Sequence, residues 1–391
     1  MGKRRRDNAT VSTVFNKVFK RRIDLSRSKM KIDIIFNDPT QYSTGRIWDD
    51  GKTDIDKVEE SIDMSEYGVL DEMKSVQRAL KASDHTTKIV PVALDVQKLI
   101  KELTDDRPDI IFNLCESLDG DPTQEMNIAS LFEILKIPYT GSRALTLGLA
   151  LNKSRVKEIL TYYNIPTAAH YLCNNSNKYK ENGFSKVKDK FPLIVKPSRE
   201  DASIGIDNNS IVKDEVQLKN RIEYILETHK QPALVEEFIE GREINVSVVG
   251  NVKKDENDLI VFPISEIDFS LLPDDYPKIV SYNSKWMYKT VEFSGTKAVC
   301  PAKDISPELE ALIQQTAKQV YTIVGASDYA RVDFRVKENV PYVLELNPNP
   351  DIASDVDEDT GFTRSGKAYG WSYETLIQNI INFASERWNI S

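Results

Sequence analysis

The sequence predicts a multidomain fold, α/β in its first part and α+β in its later parts. Three observations predict it. Between Lys31 and Leu135 short apolar runs alternate with stretches of helical spacing, the pattern of a parallel sheet with helical crossovers. From Ala233 onward several runs alternate apolar and polar residues, the pattern of antiparallel strands. The 391 residues give room for two or three domains and a substantial core. The expected division is a basic extension over 1–30, an N-terminal α/β domain over 31–142, a small central unit over 143–230 and a C-terminal unit over 231–391.

Composition narrows the class. Hydrophobic content of 40% and charged content of 29% are ordinary for a soluble globular protein. No apolar run reaches bilayer-spanning length, and no signal-peptide core is visible. Cys115, Cys173 and Cys300 are far apart and form no CxxC pair, against a disulfide framework or zinc site and in favour of a reducing, cytoplasmic compartment. His85, His170 and His229 are too scattered for a histidine metal site, and no GxSxG elbow supports a serine hydrolase. Residues 1–30 carry ten Lys/Arg against two Asp, a net of +8, leaving 31–391 at −17 of the total −9. An acidic body is a poor general nucleic-acid binder, so no specific nucleic acid is expected. Its field favours cationic substrates. Val11, Val14, Phe15, Val18 and Phe19 follow helical spacing beside a basic face. Such a helix suits an anionic surface or acidic partner, resembles an organelle transit peptide, or simply packs on its own domain.

In the first unit, KIDIIFND, TTKIVPVAL and PDIIFNLCES read as strands, and Ser65–Leu80, Val96–Leu103 and Glu125–Leu135 as helices. Ligands of such sheets sit beyond the carboxyl ends of strands, where Asn37, Asp38, Cys115, Glu116 and Ser117 lie, followed by the loop Leu118–Gln124. The acidic segment Trp48–Ile62 is long for a loop. In the second unit Leu151–Tyr163 reads as a helix carrying Lys153, AHYLC and PLIVKPS as strands, and Asp214–Thr228 as a helix. ALVEEFI opens the third unit, with REINVSVVGN, DLIVFPISEIDF, YARVDFRV and PYVLELN as strands and Pro307–Val324 and Ser372–Arg387 as helices.

Four constellations carry chemistry. In YARVDFRVKENVPYVLELNPNP, Arg331 and Asp333 are two apart on one apolar strand, and Glu345 and Asn347 are two apart on the next. Alternation puts each pair on one face, and pairing as a hairpin makes one polar patch. Carboxylates and an amide oxygen suit Mg²⁺ shared with phosphates, and the arginine suits a transferring phosphoryl group or developing oxyanion. Lys196 ends an apolar strand before a loop with Ser203, Ile204 and Gly205, able to close on phosphates. LVEEFIEGREINV offers backbone groups and an apolar wall of Phe238 and Ile239 to an adenine, and Glu243 to a ribose. Lys285 lies among Tyr282, Trp286 and Tyr288, as a phosphate clamp on a closing loop would.

The ordered set, with PYTGS at 138–142, LNKSRVKEIL and KPSREDASIG, resembles the ATP-grasp superfamily, and within it the D-alanine–D-alanine ligase-like proteins, over roughly 105–385. The resemblance implies an ATP-grasp fold preceded by the N-terminal parallel α/β domain. It implies an ADP-forming carboxylate–amine ligase that makes an amide through an acyl phosphate, acting on an amino acid or small peptide. It assigns Lys153 and Lys196 to ATP phosphates, Glu236, Glu237, Phe238 and Ile239 to adenine, and Glu243 to ribose. It assigns Asp333, Glu345 and Asn347 to two Mg²⁺, and Arg331 and Lys285 to the transferring phosphate and tetrahedral intermediate. It also implies a homodimer.

The chain departs from that pattern where substrates bind. NDPTQYSTG replaces the glycine-rich segment after the first strand, leaving Glu66 as a substitute for its substrate-binding glutamate. After the ExN strand the chain reads NPNPDIASDVDEDTGFTRSG, so Pro350-Asp351 replaces that family's Pro-Gly step and the acidic run 355–359 replaces its carboxylate pocket. Glu116, Asp351 and Arg364 complete the candidate substrate residues. Two other readings share the nucleotide site: a phosphotransferase that stops at a phosphorylated product, and a non-catalytic nucleotide-binding module.

Overall fold

The computed structural model describes residues 29–41, 64–181, 183–354 and 360–390. Residues 1–28 of the basic extension, the segment 48–62 and the acidic run 355–359 lie outside the described residues. Three sheets organise the rest.

The first is parallel, with Lys31–Asn37 between Thr86–Val92 and Ile110–Leu114. Its strands alternate between two cores. Ile32, Ile34 and Phe112 pack on the helix Met64–Ala82, while Ile35, Val90 and Ile111 pack against Leu99 and Phe132 of the helices Val96–Asp105 and Glu125–Ile134. The last helix, Tyr373–Trp388, returns to this unit, putting Ile377, Ile380, Ile381 and Ala384 into the same core as Ile34.

The second sheet is antiparallel, ordered His170–Cys173, Ala233–Glu237, Leu193–Pro197, Ile211–Val212. The helix Glu215–Thr228 covers it with Leu218, Ile222 and Ile225. Asp214 starts that helix by accepting from the Val216 and Gln217 N–H groups, which satisfies two orphan donors. Ala233–Glu237, expected at the head of the third unit, is an inner strand of this sheet.

The third sheet runs Lys297–Val299, Ser265–Asp268, Arg242–Gly250, Asp328–Lys337, Val340–Asn347, with Ile260–Val261 beside Arg242–Gly250. The helix Pro307–Val324 buries Ile313, Ala317 and Val320 against Ile244, Val246, Val332 and Phe334. Period-2 alternation therefore turns Glu243, Asn245, Arg331 and Asp333 to the opposite face.

Local reading errs in three places. The expected helix Leu151–Tyr163 is present as Lys153–Tyr162, capped by the Asn152 side chain, but the helix Ala144–Leu151 just before it is missed. DLIVFPISEIDF forms two short strands, since Pro263 between them lacks a ladder donor. The segment around Lys285 contains two short helices, Tyr282–Trp286 and Val291–Gly295, and a further helix spans Gly361–Tyr369.

Candidate active site

The hairpin Asp328–Lys337/Val340–Asn347 sets the centre of the site. Arg331 pairs with Asn347, and Asp333 pairs with Glu345. The register shifts between Asp333 and Phe334, a bulge that re-aims side chains beside the site. Arg331 donates to both Asp333 oxygens at 2.8 Å, and Asn245 Nδ2 donates to Asp333 Oδ1 at 2.7 Å. Asn347 Oδ1 accepts from the Asn349 N–H at 3.0 Å, fixing which end of the amide faces its neighbours. Burial opposes the Arg331 charge, but Asp333 and then Glu345 outweigh it and raise the guanidinium pKa.

This donor set fits magnesium. It is two hard carboxylates facing each other and one amide oxygen, too few to cage a bare ion but enough for one shared with phosphates. Among the described residues no three His, Cys, Asp or Glu side chains cluster to hold a metal by themselves.

Lysines converge from the central unit. Lys153 opens its helix and reaches Asp201 Oδ1 at 2.7 Å and Glu345 Oε2 at 3.0 Å. Burial works against the Lys153 charge, but Asp201 and Glu345 raise its pKa. Burial alone would raise Glu345; Lys153 and then Lys196 hold it well below the usual carboxylate range. Lys157, one turn on, lies 2.8 Å from Glu236 Oε1, and Lys196 lies 2.8 Å from Glu236 Oε2. Against burial, the two lysines depress Glu236 to about 2. The Glu236 carboxylate thus turns to the lysines, whereas the sequence reading puts it at the adenine.

The loop between Pro197 and Ile211 is built tightly. Ala202, Ser203 and Gly205 take left-handed φ values of 52°, 63° and 73°, and the two non-glycine residues store strain of about 1–3 kcal/mol each. A Cβ on Gly205 would meet Pro197 Cγ at 2.5 Å, so that turn requires glycine. Trp286 Nε1 donates to Ala202 O at 3.0 Å, Ser203 Oγ to Val280 O at 3.0 Å and Tyr282 N to Ile206 O at 3.0 Å. The loop carrying Ser203, Ile204 and Gly205 and the segment carrying Lys285 are therefore tied together. Lys285 lines the same cleft as Arg331 and Glu345. Burial, then Arg331, lowers its pKa.

The strand end Glu236–Ile239 also lines the cleft. The N–H groups of Glu237 and Phe238 are bonded to Ala169 O and Pro192 O, and Glu237 pairs with Lys190 at 2.8 Å. Glu243 pairs with Arg335 at 2.7 Å, and the Arg335 guanidinium lies 5.4 Å from the ring centres of Phe238 and Phe269. Burial raises the Glu243 pKa against the pull of Arg335.

A cleft of about 1380 Å³ is lined by strands of the second and third sheets and by the helix Met64–Ala82 and the loop after Leu114 of the first unit. Glu116, Asp351 and Arg364 line it. Glu66 falls in the first turn of the helix Met64–Ala82, and its side chain lies outside the described residues. Sequence reading misses Lys157, Arg335, Glu72 and Glu125. Lys157 left a signal, four residues after Lys153 on one helical face, and so did Arg335, two residues after Asp333 on the same strand; Glu72 and Glu125 meet the site through long-range packing.

A family described as D-ala D-ala ligase C-terminus matches residues 159–382. The D-alanine–D-alanine ligase of Carboxydothermus hydrogenoformans is 33% identical over 69% of this chain and 80% of its own length. That of Halalkalibacterium halodurans is 29% identical over 80% and 93%. An uncharacterized protein of Sinorhizobium fredii, y4sG, is 28% identical over 71% and 75%. Among solved structures, the Bacillus anthracis D-alanine–D-alanine ligase complexed with ATP superposes with a TM-score of 0.64 at 22% identity, covering 92% of this chain and 99% of that one. The VanG D-Ala:D-Ser ligase of Enterococcus faecalis gives 0.65 at 21%, covering 91% and 100%.

Proposed function

The chain belongs to the D-alanine–D-alanine ligase family and has its ATP-grasp fold, and from that premise we propose that it is an ADP-forming ligase joining the carboxylate of one amino acid or small peptide to the amine of another. The observation that carries this reading is the cross-strand pairing of Asp333 with Glu345, flanked by Arg331, Lys153, Lys196 and Lys285.

A carboxylate is a poor electrophile. In the proposed reaction its oxygen attacks the terminal phosphorus of ATP, and the bond from that phosphorus to the ADP oxygen breaks. The amine then adds to the acyl carbon, phosphate leaves with the former carboxylate oxygen, and the amine proton passes to solvent. Lys153 and Lys196 bind the nucleotide phosphates, and Arg331 and Lys285 face the phosphoryl group and the oxyanion, where fixed cations lower the barrier most. Two magnesium ions held by Asp333, Glu345 and Asn347 together with the phosphates would supply charge neutralisation. Phe238, Ile239, Glu237 and Glu243 form the base and ribose end, with Glu236 acting through Lys196. Ser203, Ile204 and Gly205 close over the phosphates, and the Trp286 tie to Ala202 helps exclude water, which would hydrolyse the acyl phosphate.

The same reading includes Glu116, Asp351, Arg364 and Glu66 as substrate contacts, the four-part division of the chain, a homodimer, a surface or partner contact through residues 1–30, and residence in the cytoplasm. Limited proteolysis, sedimentation and deletion of 1–30 test these separately. No helix among the described residues is long and apolar enough to cross a membrane.

Phosphate release from ATP and Mg²⁺ against amino acids, singly and in pairs, with product mass, tests the activity. Release that needs a pair, with a product one water lighter than the two substrates together, is expected. A phosphorylated single substrate with no condensed product would support a phosphotransferase instead.

A further inference from the structure

Three carboxylates line the cleft without an ion-pair partner among the described residues: Glu72, Glu125 and Asp351. They come from three distant parts of the chain. Glu72 is on the helix Met64–Ala82, Glu125 starts the helix Glu125–Ile134, and Asp351 follows the hairpin Asp328–Lys337/Val340–Asn347. Their positions are fixed by the protein. Glu72 is 3% exposed, and its Oε1 accepts from the Ile352 N–H at 2.9 Å. Its Oε2 has no hydrogen-bond or ion-pair partner among the described residues, although the side chain lines the cavity. Glu125 Oε1 accepts from Asn349 Nδ2 at 3.4 Å, and Asn349 is held by Tyr329 Oη at 2.8 Å. Asp351 Oδ1 accepts from the Ala353 N–H at 2.7 Å.

Three cations along the same wall are engaged elsewhere, while Lys285 pulls on Asp351. Lys74 pairs with Asp71 at 2.9 Å, Arg331 with Asp333 at 2.8 Å, and Arg78 donates to Ser354 O at 3.2 Å. A buried anion without a partner is costly, so a cavity lined by three of them is complementary to positive charge. No three His, Cys, Asp or Glu side chains among the described residues are placed to hold a metal ion. The fitting partner is thus an organic cation with more than one positive group rather than a bare metal ion. A neutral-side-chain amino acid brings one ammonium group and one carboxylate, which leaves the cavity with excess negative charge.

Resting on the ligase reading above, we infer that one of the two substrates is a basic amino acid or its peptide, with a side-chain cation held among Glu72, Glu125 and Asp351. The protonation behaviour of the three groups agrees with the geometry. Burial, then repulsion from Asp351 and Glu116, raises Glu72; burial, then Glu116 and Asp201, raises Glu125; burial raises Asp351 against the pull of Arg331 and Lys285. A bound cation would reverse each shift.

The test compares lysine with norleucine, and ornithine with norvaline, each in D and L form and each paired with alanine, using the full chain with ATP and Mg²⁺. The basic member of a pair should exceed its neutral counterpart in kcat/KM by at least about tenfold, and Glu72→Gln, which keeps an acceptor for the Ile352 N–H, should bring the pair close to parity. Glu125→Gln should shift the ratio in the same direction. Neutral members used equally well or better, or a basic preference unchanged in both variants, would overturn the inference and leave the ligase reading standing. If no pair releases phosphate, the ligase reading fails. Thermal shift with ATP, Mg²⁺ and lysine or norleucine then decides the cation site alone. A lysine-specific rise lost in Glu72→Gln supports it, and no lysine-specific rise overturns it.

Discussion

Lys157 and Glu236 form an ion pair of 2.8 Å inside the protein, their side chains 1% and 2% exposed. The other Glu236 oxygen holds Lys196, also at 2.8 Å. Lys157 Nζ further donates to Thr167 Oγ1 at 3.0 Å and Val343 O at 3.4 Å. One buried lysine thus joins the sheet that carries Lys196 to the strand that carries Glu345.

Lys157→Met keeps the volume and removes the charge. It should destabilise the protein by about 3–5 kcal/mol, because Glu236 loses one of two partners. It should also raise the KM for ATP several-fold more than it lowers kcat, since Lys196 loses its fixed position. Lys157→Arg should restore part of the KM. An equal effect on both constants, unrescued by arginine, would reduce Lys157 to a structural role.

Glu345→Gln should abolish Mg²⁺-dependent turnover, by about two or more orders of magnitude, while leaving the far-ultraviolet dichroism and the denaturant midpoint near those of the parent. Lys153 would lose the partner it has at 3.0 Å but keep Asp201 at 2.7 Å, which limits the structural damage. Retained turnover would remove Glu345 from the metal set.

Acid should unfold the central unit through Glu236. Its folded pKa of about 2 lies below the ordinary value of 4.5. Its contribution is therefore complete above about pH 4.5 and lost as pH falls toward 2, an effect on the order of 3 kcal/mol. Urea midpoints between pH 6 and pH 3 should fall steeply, and Glu236→Gln should flatten that slope.

Asp33 titrates the other way. It is 0% exposed on the central strand of the first sheet, with neither oxygen hydrogen-bonded among the described residues. Burial raises its pKa from 3.8 to about 6, against the pull of Lys88 and Lys31. The stability linked to its neutral form is complete below about pH 3.8 and lost as pH rises through about 6. Asp33→Asn should therefore stabilise the chain at pH 8 by about 2 kcal/mol and have little effect at pH 4. Equal denaturant midpoints of variant and parent at pH 8 would contradict this.

The sequence makes the hairpin Asp328–Lys337/Val340–Asn347 legible because its geometry is local. Period-2 spacing fixes which of Arg331, Asp333, Glu345 and Asn347 share a face, and a two-residue turn at Glu338–Asn339, both at positive φ, closes the pair. What it leaves illegible is long-range. Nothing local in Ala233–Glu237 says that it joins the sheet of Leu193–Pro197, or in Tyr373–Trp388 that it finishes the core of the first sheet. The role of Glu236 is hidden for the same reason: its partners come from a helix about 80 residues earlier and a strand about 40 earlier. Glu72 and Glu125 carry no motif and acquire meaning only from the cleft they line.

The central claim is that the carboxylate oxygen passes to phosphate through an acyl phosphate. The most direct measurement uses a substrate whose carboxylate oxygens are both ¹⁸O, with mass analysis of the released phosphate and the product. Turnover should place one ¹⁸O in each phosphate and retain one ¹⁸O in the amide carbonyl. Phosphate without ¹⁸O would mean that water attacks ATP directly and would contradict the account.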